Sequence, residues 1–263
     1  MKKSLLFLLA LLASIAAFES CKKAENNDLV IATAEDLSAN EDYSEQIEMD
    51  VDEAVERGGG ECPTVTFAQP QGTWPNTITL DFGVSCTRPD GRVLSGKLIV
   101  NQTAEIRTPG AVRTVTHENF FVDGVKVEGT RTWTNNGLNA NGQWSYTKVA
   151  TNMQLTFEDG TTTTWNKTRT SVLIEGGGTP VRLDDVWSST GSATGVNRNG
   201  RDFTATILEP LIKRADCRWI SAGILEFSVG QRTRSLDFGD GNCDRFGTLT
   251  LANGDSYSIR LRR

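Results

Sequence analysis

Two matched pairs of cysteines constrain the fold of this chain more than any other feature. Cys62 and Cys86 enclose 23 residues, and Cys217 and Cys243 enclose 25. Each time, the tetrad Leu-Asp-Phe-Gly ends three or four positions before the second cysteine. Four cysteines allow three disulfide connectivities. The matched spacing favours Cys62–Cys86 and Cys217–Cys243, and it indicates a duplicated unit.

The sequence around each pair predicts the same local structure. A strand follows the second cysteine in both copies, at residues 96–100 and 247–251. Each bridge is expected to stabilise the fold by about 3 kcal/mol. A metal site is the competing use of four cysteines, but the chain has no Cys-x-x-Cys and His117 is its only histidine. Structural zinc is therefore disfavoured, and we predict disulfides and no cofactor.

The first twenty residues have the pattern of an export signal. Lys2 and Lys3 precede an apolar run of fourteen residues, 5–18, and Ser20 then precedes Cys21. The run has the length of a signal-peptide core and is shorter than the ~20 residues of a membrane-spanning helix. We predict a signal peptide over 1–20 and a lipidated Cys21 that anchors the chain to a membrane. The alternative is an ordinary secretory signal followed by a free cysteine.

The negative charge is concentrated in one segment. Residues 22–61 carry 13 acidic and 3 basic side chains, whereas residues 62–263 carry 19 acidic and 22 basic ones. The segment 21–61, poor in aromatic residues, is expected to be a solvated acidic tether. A possible short helix is indicated by Ile47, Val51, Ala54 and Val55, which recur at helical spacing. The small positive excess of the remainder argues against binding of nucleic acid.

Residues 62–263 predict an all-β body. Apolar and polar residues alternate in many segments, and Asn-Gly or Asp-Gly pairs mark tight turns between them. Because short turns leave no room for crossovers, the strands should be mostly antiparallel. We expect a meander of roughly a dozen or more strands, forming a large twisted sheet, a sandwich or an open barrel. Its two disulfide-pinned modules span 62 to about 110 and about 181 to 263.

Two sets of residues are candidates for ligand binding. An acidic turn near the second tetrad could offer oxygen ligands to calcium, although a tight turn explains the same composition. This set consists of Asp237, Asp240, Asn242 and Asp244. Three tryptophans on successive predicted strands could stack on sugars if they share an exposed face, but packing within the sheet is the stronger expectation. This second set consists of Trp133, Trp144 and Trp165.

The tetrads belong to longer motifs. The chain has Ile-Thr-Leu-Asp-Phe-Gly at 78–83, Cys86, Asp-Gly-Arg at 90–92, Gly-Lys-Leu at 96–98, and Asp-Phe-Gly-Asp-Gly-Asn-Cys-Asp at 237–244. With these motifs, residues 60–263 resemble a family of Bacteroidota surface and outer-membrane lipoproteins of unknown function. The resemblance implies an envelope location and β structure. It implies no activity and no catalytic residues.

No catalytic set stands out in the sequence. His117 lies in a predicted strand without a Gly-x-Ser-x-Gly turn, and a pair of carboxylates for glycoside hydrolysis is compatible with many sequences. The leading hypothesis is a lipid-anchored protein of the cell envelope, at the outer membrane or cell surface. It would be a structural or binding module without evident catalytic activity, whose partner is an envelope protein or a glycan. The rival hypothesis is a carbohydrate-active surface protein, either a binder or a hydrolase.

Overall fold

The computed structural model describes residues 30–41, 43, 44, 47–58, 60, 62–179 and 181–261. The predicted signal peptide and Cys21 lie outside these residues. Within the described ranges, no helix combines the length and the apolar character needed to cross a membrane.

Fourteen strands form one antiparallel sheet, which confirms the predicted fold class. The strands are β1 Thr64–Phe67, β2 Asn76–Asp81, β3 Cys86–Thr87, β4 Val93–Gln102, β5 Val112–Val122, β6 Val125–Leu138, β7 Trp144–Thr156, β8 Thr162–Glu175, β9 Val186–Val196, β10 Asp202–Arg214, β11 Ile220–Val229, β12 Arg232–Asp240, β13 Phe246–Thr250 and β14 Ser256–Arg260. Each strand pairs with the next along the chain, except that β2 pairs with β4, and the two-residue β3 adds to β4. The order ends at β1 and β14, so the sheet is open.

The alternation of side chains along each strand gives the sheet two different faces. In β8, Trp165, Lys167 and Arg169 are buried, whereas Asn166 and Thr168 between them are exposed. Successive side chains of a strand point to opposite faces, so one face of the sheet is buried and the other meets solvent. We call these the inner face and the outer face.

A helix, α1, covers the inner face. The described residues within 30–57 are helical, and their apolar side chains join the same core as the inner face of the sheet. Val30, Ala34, Leu37, Ile47 and Val51 are all buried. Residues 36–41 are buried without a break. This part of the acidic segment is therefore a packed helix, much longer than the short one indicated by the sequence, and it is not the solvated tether that the composition suggested.

Both predicted disulfides are present, with Cα–Cα distances of 5.9 Å for Cys62–Cys86 and 5.6 Å for Cys217–Cys243. The first lies beside β1, β2 and β4, and the second beside β11, β12 and β13. The duplicated units thus lie towards opposite ends of the strand order. They nevertheless touch, because Arg218 Nη1 donates a hydrogen bond to the carbonyl oxygen of Asp90 at 2.9 Å.

The two Leu-Asp-Phe-Gly tetrads share the same local hydrogen bond. The carboxylate of the aspartate accepts a hydrogen bond from the N–H of the glycine, at 2.9 Å for Asp81 and Gly83 and at 2.8 Å for Asp237 and Gly239. Both glycines have positive φ, 61° and 106°, which a side chain would make strained. The leucine and phenylalanine of each copy are buried. The first tetrad therefore ends β2 and enters a turn, whereas the second lies within β12, where the register against β11 shifts between Asp237 and Asp240.

Candidate functional site

The inner face carries a cluster of ion pairs between basic side chains of the sheet and carboxylates of α1. Glu41 contacts Lys167 Nζ at 2.9 Å through one carboxylate oxygen and Arg169 Nη2 at 2.6 Å through the other. All three side chains are buried. Burial alone would raise the pKa of Glu41, but the charges and hydrogen bonds of Arg169 and Lys167 outweigh it and hold that pKa at about 2.

The middle of α1 repeats this pairing with other strands. Lys148 of β7 donates to Glu48 at 2.6 Å. Arg92, next to β4, makes a two-pronged contact with Asp50 at 2.9 and 3.1 Å. Bidentate bonding of this kind is the strongest arrangement for an arginine and a carboxylate.

Further pairs extend the set along α1. Arg198, between β9 and β10, donates to Asp36 at 2.8 Å, and Arg113 of β5 donates to Asp52 at 2.6 Å. Arg182 bonds both Asp52, at 3.1 Å, and Glu56. The acidic excess of the N-terminal segment therefore neutralises basic side chains of the sheet. The part of the inner face that α1 covers is an occupied interface, and the basic side chains named above are paired with its carboxylates.

The outer face carries rows of hydroxyl groups, together with a few exposed charge pairs such as Lys97 with Asp81. Thr134, Thr147, Thr170 and Thr190 stand opposite one another across β6, β7, β8 and β9. In other rows, facing polar side chains bond each other directly, at 2.8 Å for Thr77 and Asn101 and at 2.9 Å for Ser228 and Thr233. Threonine suits this surface because its branched side chain packs well on a pleated sheet.

A depression of about 590 Å³ interrupts the outer face where β7, β8, β9 and β10 adjoin. We call it the outer trough. Its polar lining consists of Asn152, Gln154, Thr164, Asn166, Thr194, Asp202 and Thr204. Core residues complete the lining, among them Trp165 and Phe203.

Local irregularities shape the outer trough. The register of β7 against β8 shifts between Ala150 and Met153, and Asn152 within this shift has a φ of 50°. Asn166 Oδ1 accepts a hydrogen bond from the backbone N–H of Asn152 at 2.8 Å, which holds the bulge. Gly195 brings β9 close to β8, because a Cβ there would lie 2.0 Å from the carbonyl oxygen of Thr164. The depression therefore results from backbone geometry that the sheet itself fixes.

Several polar side chains of the trough are available to bind a ligand. Within the described part of the chain, the side chains of Thr164, Thr194, Asp202 and Thr204 have no hydrogen bond or ion pair. No lysine or arginine lines the trough, and Asp202 is its single carboxylate. The site thus offers hydroxyl and amide groups, which both donate and accept hydrogen bonds, and little net charge.

The carboxylates of the acidic turn proposed for calcium make local hydrogen bonds. Asp237 Oδ1 bonds the N–H of Gly239, Asp240 accepts from Asn242 at 2.7 Å, and Asp244 accepts from the N–H of Phe246 at 2.9 Å. Each carboxylate serves its own local turn. No group of three or more metal-ligating side chains comes together among the residues that the structure describes.

The three candidate tryptophans do not share an exposed groove. Trp133 and Trp165 are 4 % and 2 % exposed, and Trp144 is half-buried. The guanidinium of Arg113 lies 5.5 Å from the ring centroid of Trp133. Trp133 and Trp165 therefore pack within the sheet, which was the stronger of the two expectations from the sequence.

The residues of the trough were not identified from the sequence, because a bulge and the pairing of distant strands bring them together.

His117 is held in one tautomer. Its Nδ1 lies 3.0 Å from the carbonyl oxygen of Gly129, so Nδ1 carries the hydrogen. Its Nε2 is buried and has no hydrogen-bond partner in the described residues. Burial, together with the nearby charge of Arg131, lowers the pKa of His117 to about 4. The ring is therefore neutral at physiological pH.

Comparisons with known proteins give no independent guide: no family model, no curated protein and no solved structure matches this chain. The chemistry of its own residues is the basis for any functional proposal.

Proposed function

We propose that this protein is a lipid-anchored module of the cell envelope, at the outer membrane or cell surface, whose role is binding or structural. The signal-like residues 1–20 and Cys21 support the anchor, and the resemblance to Bacteroidota lipoproteins agrees with it. The two disulfides support exposure to an oxidising compartment.

The position of α1 is the observation that carries the proposal. Val30 already belongs to the buried helix, and Cys21 precedes it by nine positions. Even fully extended, nine residues span only about 30 Å. A lipid on Cys21 would therefore keep the sheet close to the membrane. Such an arrangement suits a module that presents a surface.

The charged groups of the inner face favour binding or support over catalysis. Glu41, Glu48 and Asp50 are each engaged by buried cations. His117 is neutral and hydrogen-bonded to the backbone. These groups are engaged within the fold, which leaves the outer face as the surface for interaction.

Metabolic labelling with a palmitate analogue tests the anchor. The wild-type chain should be labelled and should sediment with membranes, whereas Cys21→Ala should lose both properties. A matched control, Ser4→Ala, lies in the same leader and should behave as the wild type. Equal labelling of wild type and Cys21→Ala would refute the proposal.

A further inference from the structure

We infer that the outer trough is a binding site for a neutral polysaccharide. This inference rests on the proposed function, because it names the ligand of an envelope binding module. The depression has a volume of about 590 Å³, within the usual range for ligand sites. Most of its outer-face side chains carry hydroxyl, amide or carboxylate groups, and apolar atoms form the rest of its surface, a combination that suits the polar and apolar sides of a sugar ring.

The arrangement of these groups points to a ligand rich in hydroxyls. Thr194 of β9 faces Thr204 of β10, and Thr194 also faces Asn166 of β8. Their polar groups therefore form a row across three strands. A sugar ring presents hydroxyls that donate and accept hydrogen bonds, as threonine hydroxyls and carboxamides do. A row across strands suits a chain of repeating units better than a single small molecule.

The polar side chains of the trough are open to solvent and to a ligand. Some facing polar pairs elsewhere on the outer face bond each other, as Thr77 does with Asn101 at 2.8 Å, whereas others among the described residues, such as Thr170 and Thr190, do not. In the described residues, Thr194, Thr204 and Asp202 have no such bond. Their hydrogen-bonding capacity is available to a ligand without the loss of a contact within the protein, since a ligand displaces only water.

The charge of the lining excludes other ligand classes. An anionic polysaccharide would require lysine or arginine, and neither lines the trough. A hydrolase acting through two carboxylates would require a second acid, but Asp202 is the single carboxylate of the lining. Buried Trp165 lines the site without an exposed ring, so recognition would use hydrogen bonds in place of stacking.

Electrophoresis through native gels that contain soluble polysaccharides tests the inference. The full-length protein, purified from membranes in detergent, is run in gels with dextran, mannan, laminarin or xyloglucan, and with polygalacturonate as the anionic comparison. At least one neutral polymer should retard the protein, and polygalacturonate should not. The triple variant Thr194→Val, Asp202→Asn, Thr204→Val should bind at least about tenfold more weakly, because it loses two hydroxyls and a charged acceptor.

Two further variants keep the test decisive. Thr168→Val changes an exposed threonine of β8 outside the trough and should bind as the wild type. Thr204→Val alone should weaken binding by about threefold. This single variant replaces the triple variant in the comparison if the triple variant melts at a lower temperature than the wild type. Retardation by polygalacturonate alone, no retardation by any neutral polymer, or equal retardation of wild type and triple variant would overturn the inference.

The proposals for the anchor and for the binding site can be refuted separately. Cys21→Ser removes the lipidated position and leaves the trough intact, so this variant should still be retarded by the neutral polymer. If the wild-type chain is not labelled but binds the polysaccharide, only the proposed location is wrong. If the wild-type chain is labelled but does not bind any polysaccharide, only the proposed ligand is wrong.

Discussion

The inner and outer faces of the sheet both carry many polar side chains, but they differ in what those side chains contact. On the inner face, cations such as Arg113, Lys167 and Arg169 are buried against carboxylates of α1. On the outer face, threonines stand in rows and contact water or one another. Several charged side chains therefore lie where water is excluded, which is uncommon in proteins.

The difference has an energetic consequence. Taking a charge out of water costs several kcal/mol, and only a close partner of opposite sign offsets that cost. Removal of one partner on the inner face therefore leaves an uncompensated buried charge. Removal of a hydroxyl on the outer face leaves its neighbour in contact with water. Removal of one polar partner should therefore lower the free energy of unfolding strongly on the inner face and weakly on the outer face.

The largest effect is expected from Glu41→Ala. This substitution leaves Lys167 and Arg169 buried without their shared carboxylate. We expect the free energy of unfolding to fall by about 3–5 kcal/mol, as for other broken buried ion pairs. Urea denaturation with the disulfides intact measures it.

Two companion variants show whether charge is the reason. Glu53 pairs with Arg88 but is about half exposed, with 48 % of its side chain accessible. Glu53→Ala should therefore cost less than about 1 kcal/mol. Replacement of the whole inner cluster, Glu41→Leu with Lys167→Met and Arg169→Met, should leave stability within about 1 kcal/mol of the wild type or raise it. A loss of 3 kcal/mol or more in the triple replacement would argue against this account.

A second prediction concerns His117 and pH. Because folding lowers the pKa of His117 from 6.5 to about 4, the folded state binds fewer protons than the unfolded state between these values. The contribution of this neutral histidine is complete above pH 6.5 and is lost as the pH falls towards 4. We expect the loss to reach up to about 3 kcal/mol across the window.

His117→Gln isolates this contribution, since the chain has no other histidine. The variant should have a flatter dependence of unfolding free energy on pH between 6.5 and 4, measured by urea denaturation at several pH values. Glu41 acts in a lower window: its pKa is about 2 in the folded chain, so its contribution is lost as the pH falls below its ordinary value of 4.5. An identical slope for wild type and His117→Gln would contradict the role of the histidine.

Much of the fold could be predicted because it depends on local signals. Alternation of polar and apolar residues predicted the strands, and Asn-Gly and Asp-Gly pairs predicted the turns between them. The repeated tetrad predicted both disulfides, since spacing along the chain brings Cys62 to Cys86 and Cys217 to Cys243 in the same way. Signals of this kind are contained within a few neighbouring residues.

The burial of α1 and the outer trough depend on distant residues, so the sequence did not reveal them. Glu41 and Arg169 are 128 positions apart, and the composition of the acidic segment alone suggested a solvated chain. A hint existed in the opposite charges of residues 22–61 and 62–263. The trough depends on the register shift near Asn152 and on the close approach of β9 to β8 at Gly195. No turn motif in the sequence predicts either feature.

The smallest expected effect comes from a matched pair of hydroxyl contacts, one on each face. Ser171 and Ser189 bond each other at 2.8 Å in the buried part of β8 and β9, whereas Ser228 and Thr233 bond at 2.9 Å on the outer face of β11 and β12. Ser171→Ala leaves the Ser189 hydroxyl without its partner away from water, so the free energy of unfolding should fall by about 1–2 kcal/mol. Ser228→Ala removes the same group from a contact of nearly the same length, but water can replace it, so the change should stay within about 0.5 kcal/mol. Urea denaturation of both variants compares the faces at constant chemistry. Equal effects would show that burial does not distinguish them.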